Sequence, residues 1–321
     1  MTSQHSSDSL EGFARKIAEV MNVNAVHNLR RLSGGASRET WEFHVGQEPL
    51  ILQRVRPQRP GGLGSEAIVL REAFSHGVPV PELVIDGSIS TDLERPFMIV
   101  KSVAGETIAR KILRDEQFAD ARVNLVHQLG VAAARIHKVP TVGMPNLVEE
   151  DQLTMYQQIL MDLGEPHPVF EIAFRWLEKN RPTTSATALV HGDFRLGNVV
   201  VSSEGLQAIL DWELAHLGDP MEDLGWLCVR AWRFGGAQPV AGLGGYDELF
   251  DAYAHESGVR PDREVVRWWE ILATLKWGIM CIVQAQTHLS GASRSHELAA
   301  IGRRVCENEY DLIRLLDEVS Q

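Results

Sequence analysis

The prevailing hydrophobic pattern of this chain changes near residue 102. Up to that point, apolar residues fall in short segments of strand character, and turn residues separate them as in hairpins. These segments are Val26 to Leu32, Glu39 to Val45, Leu50 to Val55, Leu83 to Asp86 and Phe97 to Lys101. Beyond that point, apolar residues recur mainly at helical spacing. The sequence therefore predicts an α+β fold in two lobes, an antiparallel β-rich lobe over residues 1–101 and a mainly helical lobe over residues 102–321.

Each predicted lobe contains a minority of the other element type. In the β-rich lobe, Glu66 to Phe74 is predicted to be one helix, which ends near Gly77. In the helical lobe, three strand-like segments follow one another, namely Ala188 to Val190, Val199 to Val201 and Ala208 to Leu210. Polar turns connect these three segments. We therefore expect the polar side chains of these turns to be held in place by the apolar strands on either side.

The charge and the cysteine content limit the classes of protein to which this chain can belong. Acidic residues outnumber basic residues 43 to 31, giving a formal net charge of −12, which argues against a nucleic-acid partner but not against a local basic pocket. Cys228, Cys281 and Cys306 lie far apart in the sequence and form no metal-binding spacing, so we expect reduced thiols in the core. The first ten residues are polar, and no apolar run has the length of a membrane span. We therefore expect a cytoplasmic protein that does not interact with membranes.

The most informative motif is H-G-D-F-R-L-G-N, His191 to Asn198, followed by I-L-D-W-E, Ile209 to Glu213. Phosphoryl transfer requires a carboxylate that orients the attacking hydroxyl and accepts its proton, and hard oxygen ligands that hold Mg²⁺. Asp193 is the candidate base, and Asn198 and Asp211 are the candidate metal ligands. Taken singly, each could be an ordinary turn or strand-end residue, but their combination between apolar strands favours the catalytic interpretation.

These motifs resemble those of the aminoglycoside phosphotransferase family of eukaryotic-like kinases, which also includes choline kinases. The longer string L-D-W-E-L-A-H-L-G-D-P-M-E-D-L, Leu210 to Leu224, resembles the branch whose kinase-like domains are fused to, or encoded near, acyl-CoA dehydrogenases. The resemblance extends over roughly residues 25 to 290 and its catalytic loop is specific. It implies a bilobal protein-kinase-like fold and an ATP- and Mg²⁺-dependent transfer of the γ-phosphate to a substrate hydroxyl.

The resemblance also indicates where the nucleotide binds. The loop L-S-G-G-A-S, Leu32 to Ser37, lies between two predicted strands, and its glycines allow backbone N–H groups to approach phosphates. An ordinary hairpin turn is the alternative interpretation of this loop. The loop residues expected to contact the phosphates are Ser33, Gly34, Gly35 and Ser37.

The segment P-F-M-I-V-K-S-V-A-G, Pro96 to Gly105, resembles the connection between lobes to which the family binds adenine. Backbone groups form those hydrogen bonds, so side-chain identity matters little here. By alignment of the motif, the carbonyl of Lys101 and the N–H of Val103 are the candidate partners of the base.

By the resemblance, strand three should carry a cation for the α- and β-phosphates, paired with a helix glutamate. The family usually has Lys or Arg there, and this strand, L-I-L-Q-R-V-R, has no Lys. We expect Arg54 to take this role because it shares a strand face with Leu52, with Arg56 as a second choice and Gln53 in the alternative register. Glu66 is the expected helix partner, with Glu72 as the alternative.

The acceptor is predicted to be a small molecule. Between Asp211 and Asp223 there is no Ser, Thr or Tyr that could serve as a phosphosite, and no A-P-E motif follows, unlike in protein kinases. The acceptor classes left open are aminoglycoside-like compounds, amino alcohols and hydroxyacyl compounds. An anionic hydroxyacyl-CoA would need a basic pocket, for which Arg230, Arg233 and Lys276 are available. The missing strand-three Lys favours one alternative, a nucleotide-binding pseudokinase without turnover.

Overall fold

The computed structural model describes residues 2–32, 38–56, 63–144, 147–149, 151–183 and 186–320. The predicted phosphate-loop residues Ser33, Gly34, Gly35 and Ser37 lie outside the described residues. The predicted fold class is confirmed, because an antiparallel sheet dominates the N-terminal part and helices dominate the rest. Among the described helices, none combines the length and the apolar character that crossing a membrane requires.

The strands in the described part of the chain overlap the predicted segments, except for His216–Gly218, which the sequence did not predict. They are β1 (His27–Leu32), β2 (Arg38–Val45), β3 (Glu48–Val55), β4 (Leu83–Gly87), β5 (Phe97–Lys101), β6 (Ala188–Val190), β7 (Val199–Ser202), β8 (Gly205–Ile209) and β9 (His216–Gly218). β1 to β5 form one sheet in the order β1-β2-β3-β5-β4, and every neighbouring pair in it is antiparallel. β6 pairs with β9, also antiparallel.

Helices make up most of the remaining chain. They are α1 (Thr2–Met21), α2 (Gly64–Ser75), α3 (Ala109–Arg114), α4 (Ala119–His137), α5 (Gln152–Leu163), α6 (Pro168–Lys179), α7 (Met221–Cys228), α8 (Tyr246–Ser257), α9 (Arg263–Leu289), α10 (His296–Gly302) and α11 (Val305–Glu318). Short 3₁₀ turns occur at Glu116–Phe118, Leu196–Asn198 and Arg230–Arg233.

The chain divides into two compact units that are discontinuous in sequence. Unit 1 comprises Met1–Gly105, Val142–Leu147 and Gln207–Glu213, and unit 2 comprises Glu106–Thr141, Val148–Leu206 and Leu214–Gln321. The sequence analysis predicted a single division after Lys101. It did not anticipate the later segments of unit 1 because tertiary contacts place them there. For example, the N–H of Ile209 at the end of β8 donates to the carbonyl of Pro79 at 2.7 Å.

The sheet of unit 1 has an apolar face on which α1 packs. Phe43, Leu50 and Leu52 on this face are almost completely buried, in one cluster with Ile17 of α1. The strand register places Glu39 and Arg54 on this same face, because residues two apart on a strand share a face. Arg38 lies opposite Val55 and therefore on the other face.

Unit 2 is built around the long helix α9. Its buried core contains Trp268 and Trp269 of α9 together with Phe170 of α6, which is typical of side chains that pack rather than bind substrate. Gly130 of α4 allows close packing against α8, since a Cβ atom at this position would lie 2.8 Å from the Cβ of Ala252. This packing gives the loops of unit 2 a rigid support.

Candidate active site

The loop His191–Asn198 connects β6 to β7, and a carboxylate of α7 anchors its start. Oδ2 of Asp223 accepts the backbone N–H of His191 at 2.8 Å, and Oδ1 accepts that of Gly192 at 3.0 Å. Nε2 of His137 lies 3.1 Å from Oδ2 of the same carboxylate. Burial disfavours the charged form, but the interactions with His137 and the backbone N–H group of His191 outweigh it and lower the pKa of Asp223. An ionised, fully buried carboxylate therefore fixes the loop.

The first residues of the loop His191–Asn198 are constrained by their close surroundings. Gly192 has φ +78°, and a Cβ atom at this position would lie 2.5 Å from the carbonyl oxygen of Leu214, so only glycine fits. The imidazole of His191 is fully buried, and its Nδ1 lies 3.2 Å from the backbone nitrogen of Asp193. His191 therefore braces the turn that presents Asp193.

Three donors hold the carboxylate of Asp193. Its Oδ1 accepts the indole N–H of Trp226 at 2.7 Å and Nε of Arg195 at 2.8 Å. Its Oδ2 accepts Nδ2 of Asn198 at 2.6 Å, and the same amide nitrogen donates to the backbone carbonyl of Asp193 at 3.0 Å. The structure thus brings together Asp193 and Asn198, and it turns the amide oxygen of Asn198 away from the carboxylate.

Arg195 belongs to the same cluster. Its guanidinium lies over the ring of Trp232, 4.6 Å from the centroid, while Nε contacts Asp193. A Cβ atom at position 197 would collide with Nη1 of Arg195, so Gly197 leaves the space that this guanidinium occupies. Arg195 thus forms an ion pair with Asp193 inside the loop.

Lys276 is not available to an external anion. It is almost completely buried beneath the loop, where Nζ lies 3.2 Å from Oε1 of Glu222 and 3.4 Å from the carbonyl of Gly192. Oε2 of Glu222 lies 3.1 Å from Nε2 of His216. Although burial opposes ionisation, Lys276 and His216 lower the pKa of Glu222. This network neutralises the ammonium group internally.

The two arginines suggested for an anionic acceptor also have acidic partners. Arg233 pairs with the buried carboxylate of Glu270 at 3.1 Å, and Arg230 pairs with Asp311 at 3.5 Å. Both positive charges are therefore partly balanced within unit 2.

The predicted pairing of Arg54 with Glu66 is wrong. Nη2 of Arg54 donates to Glu39 at 2.8 Å and Nη1 donates to the carbonyl of Leu93 at 3.1 Å, while the guanidinium lies over the ring of Phe13. The prediction rested on the face that Arg54 shares with the apolar strand residues. That face packs on α1, so Arg54 cannot meet a helix on the opposite side of the sheet.

The partner of Glu66 is Arg38, which the sequence analysis missed. Nη1 of Arg38 donates to Oε1 of Glu66 at 2.6 Å, Nη2 donates to Oε2, and both side chains are largely buried. Burial alone would lower the pKa of Arg38, but Glu66, and to a smaller extent Glu213 and Asp211, raise it. No local sequence signal indicated this pairing, because the strand register that places Arg38 opposite Val55 became visible only in the structure.

For the other predicted site residues of unit 1, namely Asp211, Lys101 and Val103, the informative features are backbone conformation and backbone hydrogen bonding. Asp211 follows β8 with φ +67°, a left-handed conformation that Asp and Asn tolerate better than most residues. Lys101 ends β5, and its exposed ammonium pairs with Glu82 at 2.7 Å, so its side chain is engaged at the surface. The N–H of Val103, two residues later, donates to no acceptor in the part of the chain that the structure describes.

Trp226 is the second residue that the sequence analysis missed. It lies three residues after Asp223 on α7, so both side chains project from one face of the helix toward the same loop. Its indole is almost completely buried, and nothing in the local sequence separates it from a core tryptophan. Only the spacing from Asp223 could have suggested a contact with the loop.

Comparison with known proteins decides the family. The sequence model of the phosphotransferase enzyme family, APH, matches residues 28–269. The chain belongs to this family. The predictions of the family and of a phosphotransferase enzyme are therefore confirmed.

Curated relatives with acyl-CoA dehydrogenase names accompany this match. Acyl-CoA dehydrogenase family member 11 of Gallus gallus is 24% identical over an alignment that covers 96% of this chain and 42% of that protein. The chain thus spans less than half the length of the acyl-CoA dehydrogenase family members that it matches. The predicted resemblance to kinase-like domains associated with these dehydrogenases is confirmed.

Solved structures of the family share the fold. A candidate aminoglycoside phosphotransferase from Ralstonia eutropha superimposes with a TM-score of 0.76 at 18% identity, covering 95% of this chain and 98% of that one. An aminoglycoside phosphotransferase in ternary complex with AMP-PNP and hygromycin B gives a TM-score of 0.63 at 15% identity, covering 92% of this chain and 97% of that one. At these identities the likeness concerns the fold.

Proposed function

We propose that the chain is an ATP- and Mg²⁺-dependent kinase that transfers the γ-phosphate to a hydroxyl group of a small molecule, with Asp193 as the base. The observation that carries this proposal is the arrangement of the Asp193 carboxylate. Trp226 and Arg195 both donate to Oδ1, whereas Oδ2 accepts from Asn198. Because a carboxylate oxygen accepts two hydrogen bonds, Oδ2 keeps a position for the proton of a substrate hydroxyl.

Asn198 and Asp211 are the proposed ligands of Mg²⁺. The amide nitrogen of Asn198 donates to Asp193, so the amide oxygen is the atom left for a metal. Asp211 contributes a carboxylate that the backbone after β8 holds in a defined conformation. Mg²⁺ prefers oxygen ligands and is commonly held by one or two carboxylates together with substrate phosphates. The donor set therefore suits this ion.

For the nucleotide, we propose Arg38 instead of Arg54 as the phosphate-binding cation. Arg38 pairs with a buried glutamate of α2, the arrangement that kinases use for this purpose, and the guanidinium fork matches phosphate oxygens. The N–H of Val103 and the carbonyl of Lys101 remain the proposed partners of adenine. The phosphate-loop residues Ser33, Gly34, Gly35 and Ser37 remain proposed from the sequence.

Asp193 performs the proton transfer of the proposed reaction. When bound, Mg-ATP would supply the γ-phosphoryl group, and the positive charge of Mg²⁺ would stabilise this group during the transfer. Asp193 orients the acceptor hydroxyl and takes its proton on Oδ2 as the new O–P bond forms and the bond to the leaving β-phosphate oxygen breaks. Arg195 keeps a positive charge beside this carboxylate. The chain contributes mainly positioning and electrostatic stabilisation.

The proposed acceptor is a hydroxylated small molecule: an aminoglycoside-like compound, an amino alcohol or a hydroxyacyl compound. The aminoglycoside-like class is supported by a structural neighbour that was solved in complex with hygromycin B. The hydroxyacyl class is supported by the acyl-CoA dehydrogenase names of the relatives. The internal pairing of Lys276 removes one of the cations that a CoA thioester could have used. We propose the cytoplasm as the location, since Cys228 and Cys281 are buried free thiols and Cys306 is an exposed one.

The test is ATP consumption by the purified chain with Mg²⁺ across acceptors from these classes. The panel contains aminoglycosides, choline, homoserine, sugars and short- and long-chain hydroxyacyl-CoAs. We expect one class to stimulate ATP consumption, and Asp193→Asn to abolish the stimulation while ATP still binds. A fully active Asp193→Asn variant would refute the role of the base. Absence of ATP binding by the wild type would overturn the kinase proposal, and binding without transfer to any acceptor would favour a pseudokinase.

A further inference from the structure

The contact between Trp226 and Asp193 is a short hydrogen bond and not merely a packing contact. The indole N–H donates to Oδ1 at 2.7 Å, and it is an uncharged donor next to the charged Arg195. Hydrogen bonds to a carboxylate are stronger than those between neutral groups, so this contact restrains rotation of the carboxylate. Trp226 comes from α7, the helix that also anchors the loop through Asp223.

The surroundings keep Trp226 in one orientation. Its side chain is 1% exposed and packs at 5.4 Å from Trp232, while Lys276 lies over its ring at 4.9 Å. A buried, rigid donor holds its acceptor with little entropy cost, in contrast to the partly exposed Arg195. With Oδ1 occupied by both donors, Oδ2 is the oxygen that is left for an acceptor hydroxyl.

We infer that Trp226 is a positioning residue for the base: its indole N–H fixes the rotation of the Asp193 carboxylate, so that Oδ2 is presented to the acceptor hydroxyl. This inference rests on the proposed function, in which Asp193 is the base. Trp226 itself does not touch the reacting atoms and acts only through Asp193.

Trp277 offers a matched control. It is a buried tryptophan of the same aromatic cluster, with its ring 4.7 Å from that of Trp232. Its indole nitrogen has no hydrogen-bond partner among the described residues. Trp277→Phe therefore removes a similar volume from the core without removing a hydrogen bond to Asp193. Any effect that Trp226→Phe shows and Trp277→Phe lacks reports the indole N–H contact.

The first readout requires no acceptor. In ¹H–¹⁵N spectra of deuterated protein, the side-chain amide of Asn198 reports the orientation of Asp193, because it donates to Oδ2. The resonance is assigned by its loss in Asn198→Asp. We expect Trp226→Phe to move it toward its position in Asp193→Asn, and Trp277→Phe to leave it in place. An Asn198 resonance that is unchanged in Trp226→Phe would overturn the inference.

The second readout is kinetic, with the acceptor that the panel identifies. Loss of one hydrogen bond to a charged group corresponds to roughly a tenfold to hundredfold loss of rate. We expect kcat to fall by this amount in Trp226→Phe, with KM for ATP unchanged and with Trp277→Phe close to wild type. Equal losses in both variants would show a packing role only and would contradict the inference.

A variant that unfolds does not prevent the test. Benzothienylalanine at position 226 has nearly the shape of tryptophan but carries sulfur in place of the N–H group, and it gives the same two readouts. Failure of the proposed function is recognised separately, by an Asp193→Asn variant that transfers phosphate as well as wild type. The Asn198 resonance does not depend on that result.

Discussion

Arg38 of β2 and Glu66 of α2 form a two-point ion pair in unit 1, with Nη1 of the arginine 2.6 Å from Oε1 of the glutamate. Kinases place the corresponding cation on the third strand. In this chain the third strand has Gln53 on that face, and Nη1 of Arg38 lies 3.5 Å from its side-chain oxygen. We therefore propose Arg38 of the neighbouring strand for this role, and under this proposal the missing strand-three Lys no longer favours a pseudokinase.

The first prediction distinguishes Arg38 from Arg54. The test uses the double variant Arg38→Gln/Glu66→Gln, because Arg38→Gln by itself would leave the buried carboxylate of Glu66 without a compensating charge. We expect the affinity for Mg-ATP, measured by calorimetry, to fall by about tenfold or more, the equivalent of one lost charge-assisted hydrogen bond. Arg54→Gln is the matched control. It should lower the free energy of unfolding by about 2 kcal/mol through loss of its contacts with Glu39 and Leu93, and leave the affinity unchanged. The reverse pattern would return the role to Arg54.

The second prediction concerns Asp211, the proposed metal ligand. Because its φ is +67°, Asp211→Asn keeps the backbone conformation, whereas Asp211→Ala adds a backbone cost of about 1–2 kcal/mol. Asp211→Asn should therefore fold like wild type and lose most of the gain in ATP affinity that Mg²⁺ gives, about tenfold or more. Titrating ATP with and without Mg²⁺ measures this gain. A gain equal to that of the wild type would rule out Asp211 as a ligand.

The third prediction tests the space beside Arg195. A methyl group at Gly197 would collide with Nη1 of this arginine, so Gly197→Ala should displace the guanidinium from Asp193. We expect kcat to fall by about tenfold, as in Arg195→Gln, and the double variant to add little to either single change. Gly245→Ala is the control, because its Cβ position is open. Additive losses in the double variant would show that Gly197 acts by another route.

The fourth prediction is a pH dependence of stability in unit 2. Burial opposes protonation of His216, but its contact with Glu222 outweighs burial and raises the pKa of His216 above 6.5. Its contribution is therefore complete below pH 6.5 and is lost as the pH rises through the higher pKa of the folded state. Thermal unfolding of wild type and His216→Gln should differ most near pH 6 and progressively less toward pH 9. A constant difference over this range would contradict the assignment.

Local sequence patterns were sufficient to predict the strands of the N-terminal sheet and the close approach of Asp193 and Asn198 in the loop His191–Asn198. All five strands of the N-terminal sheet follow the predicted segments, because apolar residues in short runs between turns specify strands regardless of what they pack against. Asp193 and Asn198 meet because the loop between β6 and β7 is short, and a spacing of five residues leaves few arrangements. These features depend on residues that are close in the chain.

Partners across the fold depended on tertiary structure. Arg54 and Arg38 belong to neighbouring strands, and which of them meets Glu66 depends on the helix that covers each face of the sheet. Similarly, the sequence identified Lys276 as a cation but not that Glu222 neutralises it. The sequence by itself determined the family, the positions of the N-terminal strands along the chain and the loop that carries the proposed base. Only the tertiary structure decided which charges pair, because a side chain finds its partner through strand register and helix packing, which bring together residues far apart in the sequence.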